Sequence, residues 1–188
     1  MLHALLLAAS VTAYAAPDVS VNAVRSGDGA RVEGEFSVPV PLPVAWEVLT
    51  DYGEQPRFLT SLRESKVLRR WRGGCLLRQA SRLEWWMLRK TVSVTLRIHE
   101  QARTEVAFED ESRSDVRRYA GAWTLAQDKG GVRVRYRLEA EPNEWLPGLL
   151  VRRALTLHAR EALEQVRREM MRRLAAKREM AERFRRRR

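Results

Sequence analysis

Between Pro147 and about Met180 the chain carries no further proline and, after Gly148, no glycine. Leu155, Ala159, Ala162, Leu163, Val166, Met170 and Leu174 recur through this stretch at three- and four-residue steps. That spacing puts them on one stripe of an α-helix. At ~1.5 Å per residue the helix runs ~50 Å, longer than a small domain is wide, so its last turns project into solvent. An apolar stripe of this length needs a broad apolar surface to lie on, and the upstream chain must build it.

The upstream pattern is that of strands. Arg31 to Val38 alternates polar and apolar residues, and Pro39, Pro41 and Pro43 end the run. Val92, Val94, Leu96 and Ile98 share one phase, with Ser93, Thr95, Arg97 and His99 on the other. Tyr119, Gly121, Trp123 and Leu125 share a face, and Val132 to Ala140 alternates with Arg133, Arg135, Arg137 and Glu139. One apolar and one polar face is the mark of antiparallel sheet covered on a single side. Turn signals at Gly73-Gly74, 101–104, 110–115 and Asp128 to Gly131 separate the runs. Between the first strand and the rest, Val44, Trp46, Val48, Leu49 and Tyr52 fall at helical spacing, with Pro43 suited to a first helical turn. Gly53 and Pro56 break that helix, and Phe58-Leu59 make one more turn. Trp46 is expected to anchor the first helix on the sheet, and Asp51 to cap it or form an ion pair near its end.

The expected fold is therefore α+β: a curved antiparallel sheet of about seven strands around a long C-terminal helix, with two short helices after the first strand. A bent sheet gripping one helix leaves an apolar gap, and gaps of this kind are default small-molecule sites.

Two groups of residues make the pattern specific. Val44-Ala45-Trp46-Glu47-Val48-Leu49-Thr50-Asp51-Tyr52, Pro56-Arg57-Phe58-Leu59 and Ser65-Lys66-Val67 form the first. Gly121-Ala122-Trp123-Thr124-Leu125, Val132 to Tyr136, Pro142 and Leu146-Pro147 form the second. In order and spacing they resemble the polyketide cyclase/dehydrase and coenzyme Q-binding branch of the START-like (SRPBCC) superfamily, over about residues 30–170. The resemblance implies a helix-grip fold that binds a lipid, isoprenoid or polyketide-like molecule. The arginine-rich end after about Leu174 is not part of that pattern.

Residues 1–16 have the proportions of a secretory signal peptide, with an apolar middle and a small-x-small site at Ala13-Tyr14-Ala15, though no lysine or arginine precedes the apolar run. The expected organisation is a signal peptide at 1–16, an extended lead-in at 17–28, a ligand-binding domain at 29–175 and a basic helical extension at 176–188. Export, to a bacterial periplasm, follows from the leader. One cysteine, Cys75, excludes an intramolecular disulfide and a cysteine-based zinc framework.

The net charge of +11 is not spread evenly. Residues 151–188 hold fourteen Lys and Arg against five Glu, a balance of +9, and the remaining 150 residues hold twenty-one against nineteen, or +2. A nearly neutral body argues against a nucleic-acid face on the domain. The basic end, Arg183, Phe184, Arg185, Arg186, Arg187 and Arg188, suits an anionic membrane surface, with Phe184 seating in the interface.

No catalytic constellation is visible. Past the leader the histidines are His99 and His158. The first falls on a polar strand phase, the second on the long helix facing the gap. Without paired histidines or cysteines no metal site is expected, and no cofactor is implied. Cys75, beside a hairpin turn, lacks a neighbour that would lower its pKa. Glu109, Asp110 and Glu111 are expected as a solvated turn. Ligand-contact candidates are Trp85, Trp86, Tyr119, Trp123, Tyr136 and His158. Binding of an apolar small molecule, as carrier or chaperone, is the leading expectation; a cyclase or dehydratase and a tail-recruited adaptor are the alternatives. Oligomeric state has no signature in the sequence.

Overall fold

The sheet is open and fully antiparallel, with strand order β1-β2-β8-β7-β6-β5-β4-β3. The computed structural model describes residues 19–85, 88–143 and 147–187, with 83–85 and 88–90 described by backbone alone. Its strands are β1 (Ser20–Ser26), β2 (Gly29–Val38), β3 (Leu62–Trp71), β4 (Gly74–Trp85), β5 (Leu88–Gln101), β6 (Glu105–Asp110), β7 (Val116–Asp128) and β8 (Gly131–Pro142). Helix α1 (Leu42–Thr50) and a 3-10 helix (Tyr52–Arg57) follow β2, and α2 (Gly148–Arg186) closes the chain. The helix-grip expectation holds. The sheet has eight strands rather than about seven, because the segment expected only as an extended lead-in pairs along β2 as an edge strand. The two short helices consequently follow the second strand, not the first.

The alternation becomes two chemically distinct faces. Along β2 and β8, Val32, Phe36, Val38, Val132, Val134 and Leu138 are buried. Their sequence neighbours cross-link the outer face, as in the Arg135–Glu35 pair at 3.1 Å and the Arg133–Asp128 pair at 2.8 Å. Helix α1 starts behind Pro41, whose carbonyl accepts from the Val44 and Ala45 amides, and ends where the Asp51 amide closes onto the Glu47 carbonyl. Trp46 packs half-buried against the core. Pro56 and the residues around it hold only a 3-10 turn, consistent with proline's missing donor.

Helix α2 lies chiefly on β2, β1 and α1. Leu163 and Met170 are fully buried on its inner stripe, with Val166 beside them. Because the helix sits over one side of the curved sheet, the inner faces of β4 to β7 meet no helix along most of their length. Past Leu174 the helix contributes no buried residue. Among the described residues no helix is long and apolar enough to cross a membrane.

Candidate functional site

The uncovered inner faces enclose a cavity of about 310 Å³. Its floor is aliphatic: Leu77 of β4, Val94, Leu96 and Ile98 of β5, and Val106 of β6. One wall is aromatic, from Phe108, Tyr119, Trp123 and Tyr136 on β6, β7 and β8. The Trp123 and Tyr136 ring centroids are 4.3 Å apart, and Phe108 lies 5.7 Å from Tyr119 and 6.4 Å from Tyr136. Phe108 reaches this position because Gly121 leaves room: a Cβ there would collide with the Phe108 ring and the Arg137 carbonyl. What Gly121 admits beside the strand is thus a phenyl ring. The opposite wall is α2, through Val151, Leu155, His158 and Ala162, and the 3-10 segment closes one end with Gln55, Phe58 and Leu59.

Few polar groups enter this space. Burial pushes the Tyr119 and Tyr136 phenols above their ordinary pKa, and the two lie close enough to perturb each other. Burial also lowers the His158 pKa, opposed by the Glu161 carboxylate one turn along, so the imidazole is neutral at pH 7 and above. His158 has no hydrogen-bond partner among the described residues. On the β4 side the Gln79 amide donates to Gln55 Oε1 at 2.9 Å and to Ser65 Oγ at 3.3 Å. The Gln55 amide in turn donates to the Leu49 carbonyl. Gln165 of α2 fastens the chain between the 3-10 helix and β3: its Oε1 accepts from the Thr60 amide and its amide donates to Thr60 Oγ1.

Of the candidates taken from the sequence, Tyr119, Trp123, Tyr136 and His158 all line this one cavity. Trp85 ends β4 with its side chain outside the described set, and Trp86 and Arg188 lie outside the described residues, as does the leader at 1–16. His99 is exposed on the outer face. Cys75 is buried, and burial raises its thiol to about 11. Asp110 departs from the solvated turn expected for Glu109-Asp110-Glu111. It is 6% exposed, and its carboxylate accepts from the amides of Thr95, Ser112 and Arg113 and from Ser112 Oγ. The inward phase of β6 carries Val106, Phe108 and Asp110, so the strand turns this carboxylate into the protein, where four donors compensate it. Gln55, Gln79 and Phe108 are site residues the sequence reading did not single out. The signal for Gln79 is an inner strand phase, Cys75, Leu77, Gln79, Ser81, that turns from apolar to polar midway. Among the described residues no group of three His, Cys, Asp or Glu is placed to hold a metal ion.

Arg183, Phe184, Arg185, Arg186 and Arg187 occupy the exposed end of α2 and its cap, with Phe184 66% exposed.

Solved structures share the architecture. A STAR-related lipid transfer protein fragment from Xanthomonas axonopodis superposes with a TM-score of 0.69 at 18% identity, covering 83% of this chain and 95% of its own. The Zhui aromatase/cyclase from Streptomyces sp. R1128 gives 0.63 at 17% identity, with 77% and 94% covered. Human STARD10 gives 0.67 at 14% identity, with 88% and 74% covered. Among curated protein sequences none matches the chain. Residues 29–179 match the family described as polyketide cyclase / dehydrase and lipid transport. With that match spanning β2 to β8, the cavity and most of the gripping helix, the chain belongs to this polyketide cyclase/dehydrase and lipid transport family.

Proposed function

We propose that this protein is a carrier or chaperone of an apolar small molecule, such as a lipid, isoprenoid or polyketide-like compound, which it holds between sheet and helix. The observation that carries the reading is the cavity itself: about 310 Å³ lined mostly by aliphatic and aromatic side chains. Removing apolar surface from water on both partners drives such binding. Membership of a family that includes lipid transport supports the same reading. Organic extraction of the purified full-length protein followed by mass spectrometry tests it. One co-purifying class of apolar molecule is expected. Extracts identical to a blank, together with no displacement of a bound apolar dye by any lipid, would remove the reading.

The proposal extends to the surface. The exposed Arg183, Phe184 and Arg185 to Arg187 at the end of α2 suit attachment to an anionic bilayer, each basic residue contributing about 1 kcal/mol near such a surface. The leader expected at 1–16 makes the bacterial envelope the proposed location, and fractionation of the tagged chain tests that part.

A second reading, a cyclase or dehydratase, draws on one observation. A neutral imidazole, His158, and two neighbouring phenols, Tyr119 and Tyr136, line the same apolar space, and general acid–base work needs groups of this type in reach of a substrate. Turnover of poly-β-keto thioesters that disappears in His158→Ala would favour it over the carrier reading.

A further inference from the structure

We propose that the cavity takes an electrically neutral, compact apolar molecule bearing a carbonyl- or hydroxyl-type oxygen, and rejects carboxylates and phosphate headgroups. This rests on the carrier reading above and narrows its ligand class.

The first ground is the charge of the lining. Among the described residues that line the cavity there is no lysine or arginine. The acid there, Glu141, is engaged by Arg117 Nη1 at 3.0 Å. An anion moved into such a space loses its hydration and meets no cation of the described lining, the least favourable way to bury a charge. His158 supplies no charge in compensation, since its burial favours the neutral imidazole.

The second ground is the hydrogen bonding left over. Tyr119 and Tyr136, on one wall of the cavity, each carry a hydroxyl that can donate to or accept from a ligand oxygen. Gln79 spends its amide hydrogens on Gln55 and Ser65, which leaves its carbonyl oxygen as an acceptor on the cavity wall. Neutral His158 presents one N–H and one lone pair. These groups match a carbonyl or hydroxyl and supply nothing that neutralises an anion. The third ground is size. A cavity of about 310 Å³ sits at the low end of the roughly 300–1,000 Å³ usual for small-molecule sites. It suits one chain or a small ring system, not a two-tailed glycerolipid.

The test is calorimetric titration of the full-length protein at pH 8 with four probes sharing one chain: dodecan-2-one, 1-dodecanol, dodecanoate and dodecyl phosphate. The ketone and the alcohol are expected to bind at least tenfold more tightly than either anion. Dodecanoate or dodecyl phosphate binding as well as the neutral probes would overturn the inference while leaving the carrier reading in place. Binding of none of the four, with no displacement of a bound apolar dye, would overturn both. In the double variant Tyr119→Phe/Tyr136→Phe, checked for its melting transition, the ketone is expected to fall to the affinity of plain dodecane. A ketone advantage that survives in a folded double variant would overturn the role given to the hydroxyl pair. The charge ranking in the parent protein stands on its own measurement.

Discussion

At the scale of single residues, the grip of sheet on helix depends on a missing side chain. Gly34 lies on the inner face of β2, and a Cβ there would run into the Leu163 side chain and crowd the Ser20 carbonyl. Leu163 is fully buried against it. Gly34→Val is therefore expected to push α2 off the sheet and lower stability by about 1–3 kcal/mol, the usual range for overpacking a close contact; denaturant unfolding against the parent checks it. Asp110 holds its loop by the opposite means, adding acceptors where the backbone has orphan donors. Asp110→Ala should leave the Thr95, Ser112 and Arg113 amides without that acceptor and speed their hydrogen exchange, with little change at Ala122 or Val134 in the sheet interior. These residues were legible to different degrees. Alternation from Arg31 to Val38 places Gly34 on the inner face, but which helical residue passes over it is a long-range fact. Tyr119, Trp123 and Tyr136 sit in long, regular strands, so their phase survives into the fold. Gln55 and Gln79 are polar residues on inward faces, and periodicity treats them as noise until their partners are known.

Elements bind one another through a mixture of apolar stripe and buried charge. Arg173 of α2 joins Asp51 at the end of α1 (3.0 Å), Glu47 within it (3.5 Å) and Glu169 one turn back (2.8 Å), and is itself 12% exposed. Lys177 adds a second tie to Glu47 at 2.7 Å. Arg173→Met should cost about 1–3 kcal/mol, the range for losing hydrogen bonds to charged groups, because the buried Glu169 keeps only Arg172 and the half-exposed Asp51 loses this cation. The cost should depend on pH. The Arg172 hydrogen bond first, and Arg173 after it, hold the Glu169 carboxyl below its ordinary range; the Lys177 hydrogen bond does the same for Glu47. A carboxyl whose folded pKa is depressed stabilises the protein fully above its unfolded value, about 4.3, and loses that contribution as pH falls through the folded value. The gap between parent and Arg173→Met should therefore be full at pH 7 and shrink toward pH 3; paired unfolding curves at the two pH values decide it. Asp51 as an ion-pair residue at the helix end is visible from sequence, since it follows an amphipathic run at a break. The edge strand β1 is not. Its inward residues are Val21 and Ala23, while Val24 faces solvent at 49% exposure. What makes it a strand is pairing with β2 and contact with α2, including Arg160 Nη1 donating to the Val19 carbonyl at 3.0 Å.

At the scale of the molecule, α2 carries two different surfaces at its two ends. Its first half lines the cavity with His158 and its neighbours, and its last turns hold the exposed basic cluster around Phe184. At ~1.5 Å per residue these centres are roughly 40 Å apart along the helix. The family match stops at residue 179, so the basic turns are an addition to a body that needs only the part before them. Their geometry makes retention at a surface separable from holding a ligand. Truncation after Lys177 keeps the Glu47 tie and removes Arg178, Arg183 and Arg185 to Arg188 together with Glu179 and Glu182. Affinity for vesicles rich in anionic lipid should then fall by two orders of magnitude or more, given about 1 kcal/mol per basic residue. For the parent chain the same affinity should weaken steeply with salt, since the exposed charges are screened within a Debye length of about 10 Å at 0.1 M. Apolar probe binding and the melting transition should stay at parent values, because the described residues removed are all exposed. Co-sedimentation with anionic and zwitterionic vesicles, run beside probe titration on both chains, separates the outcomes. Unchanged vesicle binding would move the membrane contact to another face, and a lost probe site would mean that the far turns of α2 support the cavity after all.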